Sequence, residues 1–113
     1  MEYPFTFVCT TRIFKGGEKA FGPGIAKLLT LVEQTSSLRS AAAEMGMAYS
    51  KAWKIIRDTE AALGFKLLLT TIGGKSGGGA VLTPQGKDLL SRYLAFELKA
   101  RGAVENVFQE FFG

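Results

Sequence analysis

Residues 36–62 read SSLRSAAAEMGMAYSKAWKIIRDTEAA, and the topology of the chain hangs on how this stretch is parsed. Thr35, Ser36 and Ser37 offer side-chain oxygens just before Leu38, where a helix can begin. Ala41 and Ala42 stand in the middle of the resulting short helix, Leu38 to Met45, and Gly46 follows it. Small residues let a second helix cross closely, and glycine accepts the left-handed conformation of a tight exit. Met47 restarts the apolar pattern, Ser50 is the expected cap of a third helix over Lys51 to Leu63, and Gly64 closes it. Two short helices joined by a glycine turn, the second with a basic face, are the layout of a DNA-reading helix-turn-helix.

Successive residues of the third helix lie about 100° apart, which groups Ala52, Ile56, Thr59 and Leu63, with Ile55 beside them, on a core-facing side. Ser50, Lys54, Arg57 and Ala61 fall opposite, flanked by Lys51. From Met47 to Arg57 there are three basic residues and no acidic one, whereas the first 46 residues carry five basic and four acidic. A helix of this kind can enter a major groove with its N-terminal half nearest the bases. Trp53 lies at the boundary of the two faces, placed either to pack its ring or to donate its indole N–H to a phosphate. The competing reading of the basic face is a solvated surface, since basic amphipathic helices have several uses.

Outward from this motif, Leu67, Leu68 and Leu69 read as a strand, Gly73 to Gly79 as a loop, and Ala80, Val81 and Leu82 as the return strand, where a winged variant places its β-wing. Gly74-Lys75-Ser76 imitates the end of a Walker loop. The imitation fails on spacing, because the position five before Gly74 is Leu69 and a strand rather than a helix follows. A hairpin tip whose glycines and Lys75 approach a sugar-phosphate backbone is the better reading.

On the other side, Phe5, Phe7, Cys9 and Ile13 alternate along an expected strand over residues 5–14. It turns at Gly16-Gly17 and returns through Lys19 to Phe21. A first helix is expected from Pro23 to Gln34, on the spacing of Ile25, Leu28, Leu29 and Val32. Thr83-Pro84 caps and opens a final helix reaching Phe112. Along it Leu89, Tyr93, Phe96, Ala100, Val104, Val107 and Phe111 recur at spacings of three and four, widened by Leu90, Leu94, Phe108 and Phe112. The expectation is a homodimer with this helix in the interface and the terminal aromatic cluster exposed on a monomer. The alternative is a helix that folds back over its own core.

The 113 residues, 47% hydrophobic, suit one domain: an N-terminal β-hairpin over 1–22, the helix-turn-helix and wing over 23–82, and a dimerisation helix over 83–113. With one cysteine and no histidine, cysteine/histidine zinc sites and histidine-activated nucleophiles are excluded. Cys9 reads as a small apolar strand residue. No catalysis, no cofactor and no metal are expected. The net charge of +4 suits a polyanion. The absence of a membrane-length apolar run points away from the membrane and to the cytoplasm.

These residues resemble the N-terminal DNA-binding domain of the ModE family, molybdate-responsive regulators that share a winged helix-turn-helix with LysR-type regulators. The resemblance covers roughly Ile13 to Phe96 and rests on four stretches: Phe21-Gly22-Pro23-Gly24; Ser37-Leu38-Arg39-Ser40-Ala41-Ala42-Ala43; Gly46 through Trp53; and Gly73 through Ala80, followed by Leu82-Thr83 and Gly86. It implies a winged helix, dimerisation through the first and last helices, and DNA contacts from the third helix and wing. Where the family often has a charged pair before the wing, this chain has Leu69 and Thr70. Molybdate-sensing members carry a C-terminal oxyanion-binding domain, and with the chain ending at Gly113 the expectation is no molybdate binding here. A separately encoded sensor subunit is left open as a partner.

The resulting expectation is a mainly α fold with a small β component, and a homodimeric winged helix-turn-helix regulator of duplex DNA. Tyr49, Ser50, Lys51, Trp53, Lys54 and Arg57 would meet DNA through the third helix. Arg39 would do so from the second, and Gly74, Lys75 and Ser76 from the wing. Lys54 or Arg57 is the candidate for a guanine edge, and Lys75 for a phosphate. Leu89, Tyr93, Phe96, Val104, Val107, Phe108 and Phe111 form the expected dimer interface. The alternative from another class is a protein-interaction module that keeps the winged-helix fold and recruits its partner through the apolar final helix.

Overall fold

The computed structural model describes residues 3–71 and 79–113, and its element order is β1(Ile13–Lys15), β2(Glu18–Phe21), α1(Pro23–Thr35), α2(Leu38–Glu44), α3(Tyr49–Leu63), β3(Leu68–Thr71), β4(Gly79–Leu82) and α4(Pro84–Phe112). This is a winged helix: three short helices around one core, a β3–β4 wing, and a long closing helix. The wing tip, with Gly74, Lys75 and Ser76, lies outside the described residues.

Apolar spacing decides what each helix buries. α1 presents Ile25, Ala26, Leu28, Leu29 and Val32 inward, α2 presents Leu38, Ala41 and Ala42, and α3 presents Ala52 and Ile56. The alanines, fully buried or nearly so, allow the helices to approach without a side chain between them. Ser37 caps α2 by accepting the Ser40 amide at 3.0 Å. Gly46 takes the turn at φ 70°. Met47 sends its amide back to the Ala42 carbonyl at 3.0 Å, which fixes where α3 starts.

The wing grows from a junction at Leu67, itself fully buried. β3 and β4 pair antiparallel from Leu68 opposite Leu82 to Thr71 opposite Gly79. The Glu60 carboxylate, on the last turn of α3, accepts the amides of Leu67 at 2.7 Å and Leu68 at 3.3 Å. The Thr83 hydroxyl donates to the Lys66 carbonyl at 2.7 Å and accepts the Gly86 amide at 2.9 Å, so one side chain ties down the strand entry and caps α4. β4 also meets α1, where the Ser36 carbonyl, held by a left-handed backbone at φ 56°, accepts the Ala80 amide at 3.0 Å.

Three expectations are corrected. Residues 3–12 form no strand, because the return strand is only Glu18–Phe21 and leaves them no ladder partner; they run instead along α4. Phe7 packs on Phe108 with ring centroids 5.0 Å apart and Phe5 on Phe112 at 5.6 Å, so the terminal aromatics are partly covered by the chain's own N-terminal arm. Ser50 does not cap α3. The cap position is Ala48, which has no side-chain acceptor, and Ser50 stands in the first turn. Tyr93 is buried at 1% exposure, edge-on to Phe21 at 5.1 Å, with its hydroxyl donating to the Thr11 carbonyl at 2.8 Å. It is a core residue and has no surface to offer a second subunit.

Two glycines on α4 make a paired test. A Cβ on Gly86 would stand 2.7 Å from the Leu67 carbonyl oxygen, while one on Gly102 meets nothing within 4 Å. Gly86→Ala is expected to lower stability by about 1–3 kcal/mol through overpacking, and Gly102→Ala to raise it by about 0.5–1 kcal/mol through helix propensity. Urea denaturation measures both. In the same assay Glu60→Ala, which orphans two amides bound to a charged acceptor, costs about 1.5–3 kcal/mol.

Candidate nucleic-acid interface

α3 is half-sunk in the domain, and its burial alternates as the apolar spacing requires. Ala52 and Ile56 are fully buried, Ile55, Thr59 and Leu63 half-buried, and Ser50, Lys51, Lys54, Arg57 and Ala61 exposed. The expected cationic side is therefore the solvent side. Tyr49, 37% exposed, begins this side, and Trp53 is half-buried against the core edge.

The polar side chains are ordered by their neighbours. The Arg39 guanidinium, from the first turn of α2, lies over the Tyr49 ring at 4.2 Å from its centroid. Tyr49 meets Trp53 edge-on at 6.3 Å, and the Arg57 guanidinium lies over the Trp53 ring at 5.2 Å. Two cations are thus held against two aromatic faces in the sequence Arg39, Tyr49, Trp53, Arg57, an arrangement worth about 0.5–1 kcal/mol per contact at an exposed site. Sequence spacing alone brings Trp53 to Arg57, one helical turn apart. Only the crossing of α2 and α3 brings Arg39 to Tyr49.

Lys54 differs from Arg57. Its ammonium contacts the Asp58 carboxylate at 2.6 Å, with both side chains largely exposed. Among the described residues, Arg57 pairs with no carboxylate. Asp58 was outside the basic run in the sequence reading, although its i+4 spacing from Lys54 is a legible signal. Glu60 was also missed; it lies one turn beyond Ile56 on the line Ala52–Ile56–Glu60, so an acidic residue at the edge of the core stripe was the available clue. No comparable sequence signal marks Lys15, whose ammonium donates to the Leu63 carbonyl at 2.8 Å and closes the C-terminus of α3.

The first turn of α3 has neither a side-chain cap nor an acidic residue, so its amides and positive dipole end are available to an anion. Among the described residues, no three His, Cys, Asp or Glu side chains converge as metal ligands. No described helix is long and apolar enough to cross a membrane. On α4, Phe96, Val104, Val107 and Phe111 are exposed by 40–69%, while Leu89 and Phe108 are half-buried within the chain.

Comparison with known proteins agrees with this architecture. Residues 26–87 match the family described as bacterial regulatory helix-turn-helix protein, lysR family. The chain is 40% identical over 70 residues to the molybdenum-pterin-binding protein MopB of Rhodobacter capsulatus, covering 62% of this chain and 26% of that protein. It is 38% identical over 64 residues to the molybdenum transport protein ModE of Herbaspirillum seropedicae, covering 57% and 24%. It is 34% identical over 71 residues to the DNA-binding transcriptional dual regulator ModE of Escherichia coli K12, covering 63% and 27%. The chain spans about a quarter of the length of these relatives. The family match takes in α2, the turn, α3 and the base of the wing, more than half of the chain, and the chain belongs to the lysR family of bacterial regulatory helix-turn-helix proteins.

Proposed function

We propose that this chain is a transcriptional regulator that binds duplex DNA as a homodimer, without catalysis or cofactor, in the cytoplasm. The observation that carries the reading is the solvent face of α3. Ser50, Lys51, Lys54 and Arg57 stand together there, opposite fully buried Ala52 and Ile56, with Arg39 drawn alongside by Tyr49. Such a face fits a major groove, with the uncapped first turn of α3 against a phosphate. Gly74, Lys75 and Ser76 of the wing extend the contact to the neighbouring backbone. The E. coli relative is itself named as DNA-binding. The molybdenum in the names of the relatives concerns proteins about four times as long as the matched stretch. We assign none of the matched residues to molybdate, and a separate sensor subunit is one route for such a signal.

The dimer would form along α4 through Phe96, Val104, Val107 and Phe111, whose exposed apolar surface is costly in water. Leu89 and Phe108 would support these residues from within each subunit. Two copies then present two α3 helices to half-sites one helical turn apart.

Fluorescence anisotropy against duplex from upstream of the chain's own gene, beside a scrambled duplex, tests the reading. Affinity is expected to fall roughly a thousandfold between about 50 and 200 mM salt for about six phosphate contacts. Lys75→Ala should weaken all duplexes alike and reduce the salt slope by about one. Absence of binding at low salt would sink the proposal in favour of an interaction module. For the dimer, sedimentation should give two copies at micromolar concentration, and Val107→Glu should give one; a monomeric wild type refutes the α4 interface.

A further inference from the structure

Resting on the DNA-binding reading above, we propose that Trp53 and Arg57 act as one reading unit for a guanine flanked by an A·T pair, the guanidinium taking the guanine edge and the indole taking the thymine methyl. The geometry begins with one contact: the guanidinium carbon of Arg57 lies over the Trp53 ring, 5.2 Å from its centroid. A guanidinium held against a ring and, among the described residues, paired with no carboxylate keeps an N–H edge to offer. That edge matches O6 and N7 of guanine in the plane of the base. A ring centred 5.2 Å from that guanidinium lies between one and two base steps away, base pairs being about 3.4 Å apart, and so reaches the neighbouring pair. At that level in the major groove the apolar group on a base edge is the thymine methyl.

Lys54 does not serve this purpose. Its ammonium is a point charge already shared with Asp58 at 2.6 Å, whereas among the described residues Arg57 is held by the aromatic face alone. Trp53 is in turn fixed from behind by the core edge and from the side by Tyr49. The unit is therefore oriented before DNA arrives, and little side-chain freedom is lost on binding.

Selection from a randomised duplex library with the whole chain is the test, followed by titration of the enriched duplex carrying single uracil-for-thymine replacements. We expect each enriched half-site to hold a fixed guanine beside an A·T pair. Replacing that thymine by uracil, which removes only the methyl, should weaken wild-type binding about fourfold. Arg57→Ala should erase the guanine preference. Trp53→Ala should keep it and lose the uracil effect. Should Trp53→Ala fail to fold, the wild-type uracil titration decides alone. A fixed guanine with no methyl dependence at either neighbour overturns the paired reading, as does an unchanged uracil effect in folded Trp53→Ala. No enrichment of any duplex overturns this inference together with DNA binding itself.

Discussion

Everything in this domain that faces outward with purpose is held by the satisfaction of a few backbone groups around Leu67. The chain there leaves α3, enters a wing strand and passes under the start of α4, so its peptide groups are cut off from water. Leaving a buried amide or carbonyl unpaired costs about 1–3 kcal/mol. Here the Glu60 carboxylate takes two amides, the Thr83 hydroxyl takes the Lys66 carbonyl, and the Leu67 carbonyl receives the Thr83 amide at 2.9 Å. Gly86 is glycine because the Leu67 carbonyl occupies the place of its side chain. The consequence is geometric: the end of α3, the wing base and the first turn of α4 move as one piece, so α3, the wing and α4 share a common frame.

A second constraint orients α3 about its own axis. Fully buried Ala52 and Ile56 leave it one rotational setting against α1 and α2. With the Gly46 turn fixing its start and the Lys15 ammonium closing its end, its polar side has one direction to face. The proposed recognition depends on this, because a rotation of one residue, about 100°, would put Asp58 where the proposal places Arg57.

The helices were legible because their signals are local. The spacing of Ile25, Leu28, Leu29 and Val32, the glycines at 46 and 64, and the Thr83-Pro84 pair each act within a few residues, and each helix lies within two residues of its expected bounds. Apart from the Ser50 cap, a local signal displaced by the Ala48 start of α3, the failures are non-local. Alternation at Phe5, Phe7 and Cys9 reads as a strand, yet a strand needs a neighbour, and only a distant helix offers these rings a surface. Tyr93 belongs to the apolar stripe of α4 by spacing, but the arm brings Thr11 over it and makes it core. The Arg39–Tyr49 contact spans ten positions and exists only through the helix crossing.

The balance of charge on α3 follows from the same rigidity. The Lys54–Asp58 pair is exposed, 75% and 66% for the two side chains, and such i,i+4 pairs contribute only about 0.3–0.5 kcal/mol. A phosphate can therefore draw Lys54 away at little cost, since the alternative partner is fully solvated. Asp58 itself cannot leave the face, and its carboxylate repels any phosphate that comes to its side of the helix. Attraction at Lys51 and Arg57 combined with repulsion at Asp58 narrows the orientations in which α3 can sit on a duplex. An all-basic helix would bind more tightly but in more registers. On the proposed reading, one acidic residue in that position trades affinity for a defined docking angle, the angle at which the Arg57 guanidinium would meet a base edge.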